Sequence, residues 1–423
     1  MTLSAPNVAG LQNTIEMDQI PARQKAMMTW YRKHGRAMPW RRARPNAYHV
    51  LVSEFMLQQT QVATATDYFH RFIAALPTLA DLAAADEQQV LRLWQGLGYY
   101  RRARFLHASA KMIMNDFGGV LPDTAAALRQ LPGVGRYAAG ALSSIVYGRQ
   151  EPVVDGNVIR VLSRWLAIDQ PIEDTAVQTR MWQEAGELIP ADEPGDFNQA
   201  MMELGAVVCT PKAPTCLICP MSTMCQACRD GDPLAYPKRR PRKAPTAVTH
   251  HIAAVHRRGR YLFHCRPSTG MWSNMWQMPT WEPPAGTTSA KPPVAMSAKT
   301  RAKAAGDMRG KKVAGGAGDQ NHTSHAAQPT QAADTPFATR DASQAIAHWL
   351  QDTFGLVVDG LVAGDAFTHQ TTHRAITFQL WRAETCTGRL KPGAGQWRRL
   401  DGLDDLPLAN PQKTAAAMLG ERG

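Results

Sequence analysis

Leu131-Pro132-Gly133-Val134-Gly135-Arg136-Tyr137 is the stretch on which the reading of the fold turns. Two glycines between helical stretches permit a tight turn whose backbone N–H groups face outward at a helix N-terminus. Such a turn can hold a phosphate oxygen without side chains, which makes Gly133 and Gly135 candidate contacts. It also occurs as an ordinary helix–helix turn, so its neighbours decide. Downstream, Val153-Val154-Asp155-Gly156-Asn157-Val158 sets an acid between an apolar run and a helix start. Asp155 suits an N-cap. It equally suits a carboxylate held at the mouth of a cleft.

Working outward, residues 14–34 read as a helix ending at His34-Gly35. Helical spacing continues through 47–147, broken at Pro77, Gly96-Leu97-Gly98, Gly118-Gly119 and Pro122, with Asp81 and Asp123 as caps. Helices over 158–167, 175–189 and 196–207 follow, and no strand alternation is sustained, so this part is all-α. Lys238-Arg239-Arg240-Pro241-Arg242-Lys243 marks a basic linker over 233–247. Beyond it the pattern changes to strands: 249–255, a turn at Arg257–Arg260, and 261–266, a hairpin signature. A helix over 341–354 and strands over 356–368 and 373–382 complete an α+β domain. Residues 283–336, rich in Ala, Gly, Pro, Ser, Thr and Lys, read as a disordered insertion within it.

The 423 residues suggest more than one domain, since a single core stops growing at roughly 250–300 residues. The net charge of +12 favours a polyanionic partner, nucleic acid first and an anionic membrane surface second. The excess lies in the second half: residues 1–232 carry 22 basic and 22 acidic side chains, residues 233–423 carry 25 and 13. No apolar run approaches the ~18 residues of a membrane span. The first twenty residues lack the basic start and apolar run of a secretory signal.

Seven cysteines are too few, and odd in number, for a disulfide scaffold. Five crowd together as Cys209, Cys216, Cys219, Cys225 and Cys228, the first four spaced C-x6-C-x2-C-x5-C. Four thiolates in one loop select zinc or an iron–sulfur cluster. Pairing Cys225 with Cys228 leaves a gap far shorter than the ~15–20 residues usual between zinc-binding pairs. Spacing leaves both metals open, with a [4Fe–4S] cluster on Cys209, Cys216, Cys219 and Cys225 the preferred reading and Cys228 unassigned.

These residues resemble the helix–hairpin–helix superfamily of base-excision DNA glycosylases, and the cysteine spacing resembles its cluster-bearing branches. Val52-Ser53-Glu54-Phe55-Met56-Leu57-Gln58-Gln59-Thr60-Gln61-Val62 looks like the catalytic helix of the MutY family of adenine glycosylases. Leu93-Trp94-Gln95-Gly96-Leu97-Gly98-Tyr99-Tyr100-Arg101-Arg102-Ala103-Arg104 looks like its intercalation loop, and Pro39-Trp40-Arg41 like its adenine-pocket entrance. The resemblance covers nearly all of residues 14–232, cluster loop 209–225 included. It implies that Gln59 and Tyr99 wedge into the base stack, that Arg41, Leu57 and Gln199 line an adenine pocket, and that Asn157 orients the reacting sugar or water. Arg101, Arg102 and Arg104 read as phosphate contacts.

Breaking an N-glycosidic bond to adenine requires protonation of the leaving purine and stabilisation of the sugar cation, hence one carboxylic acid and one carboxylate. Glu54, among Val52, Phe55, Met56 and Leu57, should have a raised pKa and suits the proton donor. Asp155, at a helix N-terminus, should stay ionised and suits the stabiliser or transient nucleophile at the sugar. Glycosylases of this superfamily that also cut the strand place a lysine where this chain has Tyr137. A phenol cannot form an imine, so simple hydrolysis to an abasic site is expected.

Thr249–Arg266, Gly270–Pro279 and the later strands resemble the Nudix-like C-terminal domain of the same glycosylases, placed at 248–415. The helix Ser343–Leu350 lacks the acidic residues with which Nudix hydrolases gather metal, so no pyrophosphatase activity is expected. Phe367-Thr368-His369 resembles the family loop that reads 8-oxoguanine, with Phe367 stacking or wedging and Thr368 hydrogen-bonding. The expectation is a monomeric, cytoplasmic glycosylase acting on double-stranded DNA with A:8-oxoguanine or A:G mispairs, and not on membranes. Three rivals are disfavoured: an endonuclease III-type glycosylase/lyase by Tyr137, a non-catalytic iron–sulfur DNA-binding protein by the Glu54 and Asp155 pair, and a Nudix hydrolase by the missing acids.

Overall fold

The computed structural model describes residues 14–42, 44–241, 243–284 and 336–421. The chain divides into two units between Arg242 and Lys243. The first is helical: α1 (Ile20–His34), α2 (Ala47–Leu57), α3 (Val62–Ala75), α4 (Leu79–Ala84), α5 (Glu87–Leu93), α6 (Arg101–Asp116), α7 (Ala125–Leu128), α8 (Arg136–Tyr147), α9 (Gly156–Trp165), α10 (Thr175–Leu188), α11 (Pro194–Val207) and α12 (Gln226–Arg229). Helix α2 is apolar around most of its circumference, and Val50 through Met56 are all buried, as expected of a central helix. A second core joins α1, α9, α10 and α11 to the cysteine loop through Met27, Val161, Met181, Leu204, Cys209 and Cys225.

Two expected caps are corrected. Thr78, not Asp81, caps α4: its hydroxyl accepts from the Asp81 amide at 3.1 Å while the Asp81 carboxylate accepts from the Thr78 amide at 3.0 Å. Asp81 therefore fills the third helical position of a capping box. Thr124 caps α7, and Asp123 instead pairs with Arg149.

The second unit contains β1 (Thr246–Ala254), β2 (His256–Arg257), β3 (Arg260–Cys265), β4 (Trp276–Gln277), β5 (Thr280–Trp281), α13 (Pro336–Phe354), β6 (Leu356–Gln370), β7 (Arg374–Gly388), β8 (Gln396–Arg398) and α14 (Asn410–Gly420). The main sheet has the order β5-β1-β7-β6, with β1 parallel to β7 and the other pairs antiparallel. A smaller sheet runs β2-β3-β4, with β8 on β3. Side chains of β1 alternate between faces. Ile252 and Ala254 pack with Ala415 and Leu419 of α14, while Ala253 and Val255 pack with Ile346, Leu350 and Phe354 of α13. The sheet is thus covered by one helix on each face.

The basic stretch read as a linker lies along the helical unit as far as Arg240. The Ile172 amide donates to the Lys238 carbonyl at 3.0 Å, and Arg240 pairs with Asp174 at 2.6 Å. Most of the expected insertion, residues 285–335, lies outside the described residues. Among the described residues no helix is long and apolar enough to cross a membrane.

Candidate active site and cysteine loop

A cavity of about 160 Å³ opens between α2, α8, α9 and α11, and Glu54, Asp155, Asn157, Tyr137, Arg41, Leu57 and Gln199 all line it. Residues separated by up to 158 positions in sequence are brought together there, from α2, α8 and α11, the start of α9 and the loop before α2.

Asp155 is the N-cap of α9. Its Oδ1 accepts from the Asn157 and Val158 amides at 2.9 and 2.7 Å, and its Oδ2 accepts from Asn157 Nδ2 at 2.8 Å. Burial raises the Asp155 carboxyl above its ordinary value, opposed by these donors and by Arg160. The cap reading and the cleft reading of Asp155 are therefore both met by one geometry. Glu54 has fewer partners. Its carboxyl contacts the Tyr137 hydroxyl, but its Oε2 is buried with no hydrogen bond. Burial pushes Glu54 to about 7, aided by the Asp155 charge and opposed by Tyr137 and Arg41. A Glu54 anion is thus poorly solvated, whereas an Asp155 anion holds three hydrogen bonds. Burial, with Glu54 and Asp155 beside it, holds the Tyr137 phenol well above its usual range.

Sequence reasoning missed three supports. Glu203 is buried on α11 and pairs with Arg41 at 3.0 Å and with Arg36, setting the Arg41 guanidinium at the cavity wall. Arg160 donates to Asn157 Oδ1 at 2.9 Å, to the Gly205 carbonyl at 2.7 Å and to the Cys209 carbonyl at 2.7 Å. It thereby links Asp155 and Asn157 to the start of the cysteine loop. Gly205 permits this approach, since a Cβ there would lie 2.6 Å from Asn157 Cβ. No local pattern announces either pairing, because both partners are distant in sequence. Gln199 donates to Asp196 Oδ1 at 3.2 Å.

The third support is Arg102, and it is a correction. Arg102 is buried, not a phosphate contact, and donates to the carbonyls of Phe55, Met56, Gln58 and Gly98 and to Thr60 Oγ1. It ties the loop after α2 to the loop before α6. Gln59 (φ 57°) and Tyr99 (φ 48°), the two expected wedges, lie on these loops in the left-handed region, uncommon for such residues. Tyr99 is half exposed. Between α7 and α8, Gly133 takes φ 78°, and a Cβ there would fall 2.6 Å from the Phe105 ring. Gly135 caps α8 without a side-chain hydrogen bond, and nothing lies within 4 Å of where its Cβ would be.

Cys209 and Cys225 are buried, Cys216, Cys219 and Cys228 are half-buried, and none of the seven cysteines is in a disulfide. Their thiols interact: Cys219 is pushed to about 12 and Cys225 to about 11 by burial, with further contributions from Cys209 and Cys216. Arg164 Nη1 lies 3.1 Å from Cys209 Sγ. Among the described residues no three metal-binding side chains stand in the arrangement of a bound ion. The donor set nevertheless fits a metal centre with soft ligands: four thiols from one short loop, two of them buried, with the Arg164 guanidinium beside Cys209.

In the second unit, Phe367 is 3% exposed and stacks on Phe378 at 5.3 Å, so in this conformation it packs beneath the β6–β7 hairpin. Thr368 points to the opposite face and is exposed. His369 is half-buried against Trp272 at 5.9 Å.

Residues 52–186 match the model of the HhH-GPD superfamily base excision DNA repair protein. The chain is 37% identical over 323 residues to the adenine DNA glycosylase of Homo sapiens, covering 63% of this chain and 59% of that protein. It is 46% identical over 220 residues to the adenine DNA glycosylase of Rattus norvegicus, covering 50% of this chain and 43% of that protein. Over 257 residues it is 32% identical to the adenine DNA glycosylase of Buchnera aphidicola subsp. Schizaphis graminum, covering 60% of this chain and 74% of that protein. The superfamily is thus that of helix–hairpin–helix base-excision repair proteins. Within it, the chain belongs to the adenine DNA glycosylase family. It spans 59% and 43% of the lengths of the human and rat relatives.

Proposed function

We propose that this chain is a monofunctional adenine DNA glycosylase that hydrolyses the N-glycosidic bond of adenine paired with 8-oxoguanine or guanine. The observation that carries the reading is the unequal carboxyl pair in one cavity: Glu54 raised to about 7 with an unpartnered oxygen, Asp155 held by three hydrogen bonds. The target adenine leaves the duplex and enters the cavity. Arg41, Leu57 and Gln199 surround it, and Gln59 and Tyr99 hold the space left behind. Glu54 then protonates the adenine ring, so the base departs as a neutral leaving group. Asp155 stabilises the positive charge that develops on the sugar, and Asn157 orients the sugar or water. Tyr137 cannot form an imine, so an abasic site is the product.

Gly133 and Gly135 hold a backbone phosphate at the start of α8. Cys209, Cys216, Cys219 and Cys225 would hold a [4Fe–4S] cluster, which when bound supplies a structural cross-link and no electron to the hydrolysis. Thr368 and His369 contact the 8-oxoguanine opposite the adenine, with Phe367 supporting them from the core. The domain assignment follows: a glycosylase module over 14–232, a basic linker over 233–247 and a recognition domain over 248–415. A monomer acting on double-stranded DNA in the cytoplasm fits this reading.

The test is single-turnover cleavage of duplexes with A opposite 8-oxoguanine, A opposite G and A opposite T, scored with and without alkali. Breaks that need alkali, occur for the first two duplexes and vanish in Glu54→Gln are expected. Breaks without alkali would overturn the monofunctional reading. Absence of adenine release from every duplex would overturn the glycosylase reading.

A further inference from the structure

Arg41 and Glu54 line one cavity of about 160 Å³, and Glu54 Oε2 is buried with no hydrogen bond. A guanidinium and an orphaned carboxyl oxygen in so small a space would ordinarily pair. Here the Glu54 oxygen stays orphaned, and Arg41 is held by another acid. Glu203 of α11 has a side chain only 1% exposed, and its Oε2 accepts from Arg41 Nη1 at 3.0 Å. Arg41 Nη1 also donates to the Arg36 carbonyl at 3.2 Å, and the guanidinium lies 5.7 Å from the centre of the Tyr31 ring. Arg36 completes the arrangement: Glu203 Oε1 accepts from its amide and its Nε, and Oε2 accepts from its Nη2 at 3.2 Å. Burial raises the Glu203 carboxyl, but the Arg36 hydrogen bond and the Arg41 and Arg36 charges outweigh it and hold it below its ordinary value. The other titratable groups on the cavity are Tyr137 of α8 and Asp155 at the start of α9. From the elements behind Glu54, α3 contributes Val62 to the cavity, and Arg102 of α6 is engaged by the carbonyls of Phe55, Met56 and Gln58.

We propose that Glu203 is a positioning residue that holds Arg41 off Glu54, so that Glu54 keeps the proton it delivers to adenine. The inference rests on the reading of Glu54 as proton donor given above. An Arg41–Glu54 pair would fix Glu54 as an anion, since an opposite charge at contact lowers a carboxyl by about 1–3 pH units. Such a carboxylate holds no proton to give at neutral pH. With Glu203 ionised and bound to both arginines, Arg41 stays at the cavity wall for the flipped base, and Glu54 stays without a cationic partner.

The experiment measures single-turnover adenine release against pH on a duplex with A opposite 8-oxoguanine. The full chain is compared as wild type, Glu203→Gln, Arg41→Gln and the double variant, with the melting temperature of each. Wild type is expected to show a descending limb near pH 7. In Glu203→Gln the released Arg41 pairs with Glu54, so the limb moves down by about one pH unit or more. In Arg41→Gln the rate falls but the limb stays close to the wild-type position, because Arg41 is already held away. In the double variant the limb returns to that position, a non-additive pattern that a general loss of packing does not produce. A lower rate in Glu203→Gln at every pH with an unmoved limb, or a limb that stays low in the double variant, would overturn the inference while leaving Glu54 as the acid. A limb that climbs in Arg41→Gln by about one pH unit or more would show Arg41 already paired with Glu54 and would overturn it even if Glu203→Gln does not fold. Wild type without a descending limb near pH 7 would overturn the reading of Glu54 itself, and this inference with it.

Discussion

Glu54 and Asp155 are both carboxyls on one cavity, and their surroundings divide the labour. Activity that needs protonated Glu54 falls as pH rises through about 7. A single-turnover pH profile with a descending limb there is expected, and Glu54→Gln should lose at least 10²-fold, the usual scale for general acid catalysis. The same group has a stability signature. Its folded-state pKa lies above its ordinary 4.5, so its contribution is fully present below about 4.5 and is lost as pH rises through about 7. Glu54→Gln, a neutral isostere, should therefore gain thermal stability over wild type as pH rises from about 4.5 to about 7, reaching on the order of 2 kcal/mol and holding it above that. Melting curves across that range check the sign; a difference independent of pH would contradict it. Thr368 is exposed and its hydroxyl has one role in the proposed reading. Thr368→Val should reduce the preference for A opposite 8-oxoguanine over A opposite G by roughly tenfold, one hydrogen bond's worth, measured as a ratio of single-turnover rates.

At the scale of elements, the loops after α2 and before α6 depend on Arg102. Replacing it with Met removes a buried cation and leaves several carbonyls unpartnered. About 2–4 kcal/mol of destabilisation is expected in urea unfolding, more than a surface arginine would cost. A loss below 0.5 kcal/mol, the scale of surface substitutions, would return Arg102 to the surface role read from sequence. The hairpin between α7 and α8 makes a second demand. Gly133→Ala meets both a positive φ and the Phe105 ring, so about 1–3 kcal/mol of strain is expected, with weaker duplex binding as the turn distorts. Fluorescence anisotropy on a duplex, with the melting temperature measured alongside, checks both. Elements with strong local signals matched their expected spans closely: the helix read over 175–189 runs Thr175–Leu188, and the strand read over 356–368 runs Leu356–Gln370. Short strands such as β4, β5 and β8 have too few residues to show alternation and were not legible.

Across the helical unit, Arg160 joins Asn157, and through it Asp155, to the cysteine loop. Arg160→Gln should lower adenine release and also raise the rate of iron loss to a chelator, because one side chain serves both. A change in only one readout would show the two sites to be independent. What the sequence by itself determined were the features that one short segment carries: the hairpin glycines, the cysteine spacing, Glu54 in an apolar helix, Asp155 at a helix start, and Tyr137 where an imine-forming lysine is excluded. Each is a matter of residue type and local spacing. Only the tertiary structure decided which charges are partnered. It turned Arg102 inward, paired Glu203 with Arg36 and Arg41, left one Glu54 oxygen without a donor, and set Phe367 in the core with Thr368 outward. The physical reason is that burial and hydrogen-bond satisfaction are properties of contacts between distant segments, and these exist only once the helices and sheets have packed.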